Sequence, residues 1–473
     1  MTILWIGLLP AAMGFLLIRG MSPVAARLRH NWFSLVLGTG IGIGLCSQCY
    51  FIGLVTGYSG TLPEILLLSA CGMAAFLNRK HTSFRSRKTG SSEPIHASLT
   101  RYLTCVLILL LLLQFAVFAW LTVRNPRGGW DAWAIWNLRA RFLYRAGGAA
   151  WRDAFTEVIA WSHPDYPLLL PGFVARGWKL LGRESTAVPA ALAFFFTFGC
   201  AGLITASVTV LRGVPQGILA GLALASTPSL YVQGAMQVAD IPTAFYILAT
   251  LTCLAMADRF SDRGFAALAG VAAALGAWTK NEGLMWLVAL LIAGCMTTRR
   301  RSLAAFLAGA VPALAPVLFF KIRIATPSDI FGNASRAGMM ARVLNPARYV
   351  LIAREAFRQV RDFGPLFVSG FVLLALYVAV AGLRGHNRDW RILRTGTLAL
   401  AFMALGYCAI YLVHPLDLQW ELNNSSGRLL LQIWPGIVFM VFLATRTPLS
   451  QPQLGADPST EAPSSSPGSL ISR

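Results

Sequence analysis

The stretch YPLLLPGFVARGWKLL, Tyr166–Leu181, decides how the rest of this chain is threaded. It is apolar enough to enter a bilayer, yet it is short and carries Arg176 and Lys179. A spanning helix needs about 20 apolar residues, whereas a short apolar helix with basic residues suits the membrane interface. If the stretch crosses, Asp240 falls in the cytoplasm and the Arg259–Arg263 and Arg299–Arg301 loops fall outside. If it lies in the interface, those basic loops become cytoplasmic. Asp240, Lys280 and an Asp417–Arg428 loop then all face outward. We take it as non-crossing, on its shortness, its basic residues and the placement of those loops, and every polar motif then falls in one compartment.

The composition agrees with a membrane setting. The chain has 473 residues, 56% of them hydrophobic and 12% charged, and its mean hydropathy is +0.61. Soluble domains carry about a quarter charged residues, so the composition is that of a polytopic membrane protein, and its long apolar runs make an all-α one the expectation. The formal net charge of +21 does not point to nucleic acid, because the basic residues are spread over short loops between apolar segments. The eight cysteines lie in or beside apolar segments. Cys46 and Cys49 have no partner CxxC or histidine pair, so neither a disulfide framework nor a zinc site is expected. The N-terminus lacks a charged n-region and a small-residue cleavage site, so its first apolar run is read as a retained helix.

About thirteen spans are expected, near 3–18, 32–57, 61–78, 102–123, 187–211, 214–233, 240–257, 264–279, 284–297, 303–322, 364–383, 395–413 and 429–444. The chain then divides into N-terminal transmembrane helices (1–123), a large outer loop of juxtamembrane and interfacial helices (124–185) and a transmembrane core (186–445). A Pro/Ser-rich cytoplasmic tail (446–473) is expected to be disordered. The loops Arg19–Arg29, Arg79–Lys88 and Arg384–Arg394 join the other basic loops on the cytoplasmic side.

The outer loop contains the longest polar and aromatic interruption, GGWDAWAIWNLRARFLYRAGGAAWRDAFTEVIAWSHPDYPLLLP over Gly128–Pro171. Trp130, Trp133 and Trp136, spaced by three, would line one side of a helix and form an aromatic belt at headgroup level. A belt does not account for Asp131, a carboxylate set among those tryptophans and placed to accept a proton. The turn His163-Pro164-Asp165-Tyr166-Pro167 is held extended by its prolines, which aims His163 and Asp165. The plainer reading of Asp165 is a helix cap. Trp130, Trp133, Asn137 and Tyr166 are the expected substrate contacts in this stretch.

Ionisable groups at membrane depth cost several kcal/mol (roughly 3 on insertion scales) unless paired or wet, so the other outer-face charges are candidates too. Asp240 opens a span with Pro242 behind it, which suits a helix start and leaves a well-oriented carboxylate. Lys280 and Glu282 lie between two spans of about 15 residues, each reaching about 22 Å against a core of about 30 Å. They are therefore expected below the surface in a polar cavity, paired with each other or, for Lys280, with a phosphate. Arg428 at the top of the last span could merely snorkel. Together with Lys280, Arg139 and Arg141 it forms the sharper expectation of an anionic headgroup site. No cofactor is assigned, and a divalent metal is left open without support: His163 lacks companions at ligand spacing, and there is no Asp-x-Asp pair.

This order of features resembles the GT-C superfamily of membrane glycosyltransferases, particularly its protein O-mannosyltransferase, aminoarabinose transferase and RgtA-like bacterial branches. The likeness covers Trp130 to Pro435. It consists of Asp131 in the first large outer loop, an H-P-P-L-like turn at His163, and a helix ending in Leu181-Gly182. Asp240 after the next helix pair, the Thr279-Lys280 turn and the late Arg428 before LLLQIWP complete it. The chain departs from the pattern in having one acid in the loop where many relatives have a pair, and Asp165 where HPP has its second proline.

The resemblance implies a polyprenyl-phosphate sugar donor with its phosphate on Lys280 and arginines, and a lipid, glycan or protein acceptor. It implies Asp131 as general base, Asp240 assisting near the sugar or acceptor, inverting displacement, and a site facing the periplasm or exterior of a bacterial inner membrane. A non-enzymatic transporter or flippase of a lipid-linked saccharide is the competing expectation. Transporters usually carry internal repeats and matching broken helices, and the sequence shows no such repeat.

Overall fold

The computed structural model describes residues 2–27, 31–58, 60–79, 94–328, 335–364, 368–384 and 390–446. The expected tail, most of the Arg79–Lys88 loop and part of the Arg384–Arg394 loop lie outside the described residues. The N-terminal group is α1 (Thr2–Met21), α2 (Pro23–Arg27), α3 (Asn31–Thr56), α4 (Leu62–Arg79) and α5 (Pro94–Arg124). A π-helical turn (Ala132–Trp136) leads into α6 (Asn137–Arg145), and two 3-10 turns (Ala150–Phe155, Glu157–Ser162) lead into α7 (Leu169–Leu181). Then come α8 (Ala187–Arg212), α9 (Val214–Ala225), α10 (Pro228–Ala235), α11 (Asp240–Phe260), α12 (Arg263–Thr279) and α13 (Asn281–Thr297). The last group is α14 (Arg300–Arg323), α15 (Arg336–Val343), α16 (Pro346–Asp362), α17 (Gly370–Ala381), α18 (Trp390–Val413) and α19 (Leu418–Ala444).

Among the described residues, seven helices are long and apolar enough to cross a membrane: α3, α5, α8, α11, α14, α18 and α19. The bent pair α9–α10 raises the number to eight, and α1, α4, α13 and α17 are shorter apolar helices. The chain is thus an all-helical, multi-pass integral membrane protein. A helix or the bent pair occupies each expected segment, although only seven or eight reach spanning length.

The bundle is organised around α11. Of its most apolar window 89% is buried inside the protein, against 17% for α5, which presents most of its length outward. The α12–α14 pair packs backbone to backbone: a Cβ on Gly270 would fall 2.0 Å from the Phe306 carbonyl oxygen, and one on Gly309 1.9 Å from that of Ala267. Small residues at helix contacts permit this approach.

The structure corrects the sequence expectation in four places. The span expected at 214–233 is broken, with α9 and α10 meeting at 60°. Pro228 at the start of α10 has no N–H with which to continue α9. The segment at Tyr166–Leu181, expected as an amphipathic interfacial helix, is more enclosed by the protein than its sequence indicated: Leu169 to Trp178 are all buried, and α7 packs on α3 and α6. At 13 residues it is about 20 Å long, too short to cross a core of about 30 Å. The expected Asp417–Arg428 loop is helical, because Asp417 caps α19 by accepting from the Trp420 N–H at 2.8 Å. Finally, α15 and α16 occupy a region given no element above, although Asn345-Pro346 is a helix-start signal and Asn345 does cap α16.

Candidate functional site

The segment between α5 and α7 is sewn to the turn before α11. Gly128 adopts φ +74°, and a Cβ there would lie 2.7 Å from the Met236 carbonyl oxygen. That oxygen accepts from the Gly129 N–H at 2.9 Å. Among the described residues only three non-glycines have positive φ, and two of them, His163 and Gln237, stand in this region. The following π turn has one more residue per turn than an α-helix. Trp136 is therefore rotated inward and 3% exposed, while Trp130 and Trp133 stay 52% and 46% exposed. The three tryptophans do not share one side, as their spacing had suggested. Trp130 and Trp133 meet edge to face at 6.2 Å, and Asn137 donates to the Gln237 side chain at 3.2 Å.

Asp131, just ahead of the π turn, reaches Arg428 across 297 residues of sequence. Arg428 also donates to Asp240 Oδ2 through Nη2 at 2.8 Å and Nε at 3.0 Å. Asp240 Oδ1 accepts from Gln432 Nε2 at 2.5 Å and Lys280 Nζ at 3.1 Å. Lys280 in turn meets Glu282 at 2.7 Å. Asp131, Arg428, Asp240, Lys280 and Glu282 thus form one continuous chain, in which three carboxylates face two cations. Exposure is graded along it: the Asp240 side chain is fully buried, Asp131 is 18% exposed and Arg428 26% exposed. Asp131 and Arg428 are the accessible rim, and Asp240 with Lys280 is the floor.

Several expectations change at this point. Asp240 does not cap α11, since its carboxylate makes no cap hydrogen bond. Lys280 and Glu282 pair as expected, but in a packed cluster closed further by the Tyr166 ring, 5.9 Å from Lys280 Nζ. Asp165 caps no helix; it is buried, accepts from Asn281 at 2.6 Å and lies 3.7 Å from Lys321 Nζ. It ties the loop to α13 and α14 and does not reach the Asp131–Arg428 rim. His163 stacks on Tyr166 at 4.9 Å, and Tyr166 stacks on Trp136 at 5.5 Å, so the HPDYP turn forms an aromatic wall.

Arg139 and Arg141 do not join the anionic-ligand set. Arg139 is fully buried and donates to the Ser162 and His163 carbonyls, which fixes the turn. Arg141 pairs with Glu184 at 3.3 Å. The Arg145 side chain also donates to Glu184 and holds its carboxyl below the usual carboxylate range.

Sequence reasoning missed Gln432 and the brace behind Arg428. On α16, the Glu355 carboxylate accepts from Ser426 of α19 at 2.5 Å, and Gln359 donates to the same hydroxyl at 2.9 Å. Burial pushes the Glu355 carboxyl up, but hydrogen bonds from Arg358, Gln359 and Ser426 outweigh it and leave it lowered. Ser426 lies two residues before Arg428, so the amphipathic α16 fixes α19 at the site. The visible signal was Gln432 one turn beyond Arg428 in an otherwise apolar run, since residues four apart share a helix face.

Among the described residues no group of three or more His, Cys, Asp or Glu side chains is arranged to hold a metal ion. No known protein family, curated protein or solved structure matches the chain.

Proposed function

We propose that this protein is a membrane glycosyltransferase of the GT-C type, which moves a sugar from a polyprenyl-phosphate donor to an acceptor hydroxyl on the outer face of the membrane. In this reading all thirteen helical segments cross, α7 stays in the interface, and the Asp131–Arg428 rim opens to the periplasm or exterior of a bacterial inner membrane. The carrying observation is the Arg428 guanidinium shared between an accessible carboxylate, Asp131, and a buried one, Asp240.

That arrangement suits a displacement at a phosphate-bearing carbon. The donor phosphate takes the position on Arg428 now held by Asp131, and this releases the Asp131 carboxylate toward the acceptor. Asp131 accepts the acceptor's hydroxyl proton as the acceptor oxygen bonds to the anomeric carbon. The bond from that carbon to the phosphate oxygen breaks, and its electron pair leaves with polyprenyl phosphate. Once Asp131 is protonated, two carboxylates face two cations, so the leaving phosphate meets no net negative charge in the cluster. Asp240 keeps Arg428 and Lys280 in place throughout and acts as a positioning residue. Trp130 and Trp133 offer exposed aromatic faces for the sugar or lipid.

The test is purified protein in bilayer discs with polyprenyl-phosphate sugars and candidate acceptors, followed by release of free polyprenyl phosphate. Turnover lost in Asp131→Asn and kept in the exposed outer-loop control Asp153→Asn supports the proposal. Substrate movement across liposomes without bond cleavage would replace it with the transporter reading. The 60° break between α9 and α10 favours that reading. Transporters, however, place matching breaks in both halves around a midplane site. Among the described residues the break has no counterpart, and the charged cluster sits where α11 begins.

A further inference from the structure

Arg299 stands just ahead of α14 and Arg300 and Arg301 open it, and by sequence all three read as charges that orient the chain in the membrane. Orientation requires positive charge near the surface, but it does not require a cavity. The structure has one there, of about 530 Å³, between the far ends of α11, α12, α13, α14 and α18. This is within the roughly 300–1,000 Å³ typical of small-molecule sites. Asp258 lines it from the last turns of α11, 18 residues beyond Asp240 and hence about 27 Å along the same helix from the Asp131–Asp240 cluster. The cavity is therefore separate from the candidate active site, at the opposite end of the bundle.

Its lining divides into two chemistries. One wall is apolar, made by Leu254, Leu290, Leu303, Phe306 and Ile392. The mouth carries Arg263, Arg299, Arg300, Arg301 and Arg391. Two carboxylates share the lining, and both are already engaged. Asp258 pairs with Arg391 at 3.0 Å, while Asp262 caps α12 through the Gly264 N–H at 2.7 Å and accepts the Ser22 hydroxyl at 2.6 Å. Arg263, Arg299, Arg300 and Arg301 have no carboxylate partner among the described residues. Unpaired guanidinium groups beside an apolar slot between membrane helices suit a phosphate headgroup whose alkyl chain runs along the slot.

We infer that this cavity is a binding site for an anionic phospholipid, with its phosphate on the Arg299–Arg301 turn and an acyl chain against the apolar wall. Free inorganic phosphate shares the headgroup chemistry but leaves that wall uncovered. The site is independent of the proposed transfer reaction and would remain if that reading failed.

The experiment uses the full chain in nonionic detergent and follows thermal unfolding against added phosphatidylglycerol, phosphatidylcholine of the same chains, or inorganic phosphate. Phosphatidylglycerol should bind about tenfold more tightly than phosphatidylcholine, because both carry a phosphate but the choline cation of the latter is repelled by the arginines, at about 1 kcal/mol per basic residue. The triple substitution Arg299→Gln, Arg300→Gln, Arg301→Gln should abolish that preference. A second variant, Gly294→Phe, keeps every arginine and projects a ring into the cavity, where a Cβ meets only Leu303 at 3.6 Å. It should abolish the preference as well, while Asp131→Asn should retain it. Equal binding of the two lipids, a full response to inorganic phosphate alone, or an intact preference in Gly294→Phe would each overturn the inference.

Discussion

Arg176 and Arg428 are both arginines drawn into a helical membrane protein, and they are used in opposite ways. Arg176 on α7 meets a single acid, Glu64 on α4, through two hydrogen bonds of 2.5 and 2.7 Å, with side chains 3% and 6% exposed. The pair is closed, and it locks α7 to α4 among the N-terminal helices. Arg428 is shared by Asp131 and Asp240 and keeps 26% of its side chain accessible. A buried charge with one dedicated partner is a structural rivet, whereas a charge divided between a buried and an accessible partner can exchange the latter for a ligand. Burial and partner count, taken together, separate the two roles where residue type alone does not.

The comparison can be broken by substitution, taken here in order of the expected loss of stability. Asp240→Ala leaves Arg428, Lys280 and Gln432 without their common acceptor in a buried position. The loss should be about 5 kcal/mol, the upper end for breaking a buried pair, seen as failure of the protein to survive extraction and size-exclusion chromatography. Glu64→Gln strands Arg176 and should cost about 3–5 kcal/mol by thermal unfolding. The double change Glu64→Leu, Arg176→Met should recover most of that, since removing both charges avoids an orphan. If the single and double variants are equally unstable, Arg176–Glu64 is not the closed pair described.

Asp131→Asn should be nearly neutral in stability, about 1 kcal/mol, because its partner keeps Asp240. Turnover should nevertheless fall about 100- to 10,000-fold if Asp131 is the base. An equal fall in stability and turnover would make Asp131 another rivet. The smallest effect belongs to Glu184, whose carboxyl is held low by Arg145 on the loop surface. A lowered acid contributes fully above its unfolded value, about pH 4.3, and the contribution is lost as the pH drops through the lowered folded value. Glu184→Gln should therefore flatten the stability profile slightly on the acid side and leave neutral pH within about 0.5 kcal/mol.

Much of the fold was legible because long apolar runs leave few alternatives in a membrane. The positions of the helices followed from hydropathy, and the break at Pro228 and the cap at Asp417 were visible in residue type without being read as such. The Asp131, Asp240, Lys280 and Arg428 set was also recoverable, because acids and cations are scarce enough in this chain that each invites a partner. What could not be read was pairing. Nothing in the spacing of Arg176 points to Glu64, 112 residues earlier, or sends Arg141 to Glu184 instead of to the cluster. Ion pairs between distant helices are set by three-dimensional packing, which has no period in the sequence. The brace from Glu355 and Gln359 to Ser426 was hidden for the same reason, and because α16 is polar enough to pass for a loop.

The π turn at Ala132–Trp136 has a consequence for how this protein tolerates changes in length. Such a turn holds one residue more than an α-helix needs, and each residue of an α-helix subtends about 100°. About five residues of π winding turn through nearly the same angle as about four of α winding, so deleting one residue inside the turn, Ala134 for example, would let it relax to α winding with Asp131 still near its phase on Arg428. Length there can shrink by one residue, while the carboxylate cannot be replaced. A one-residue deletion should therefore keep the Asp131–Arg428 ion pair that Asp131→Asn removes, and the loss of that pair in the deletion would show that the extra residue is needed.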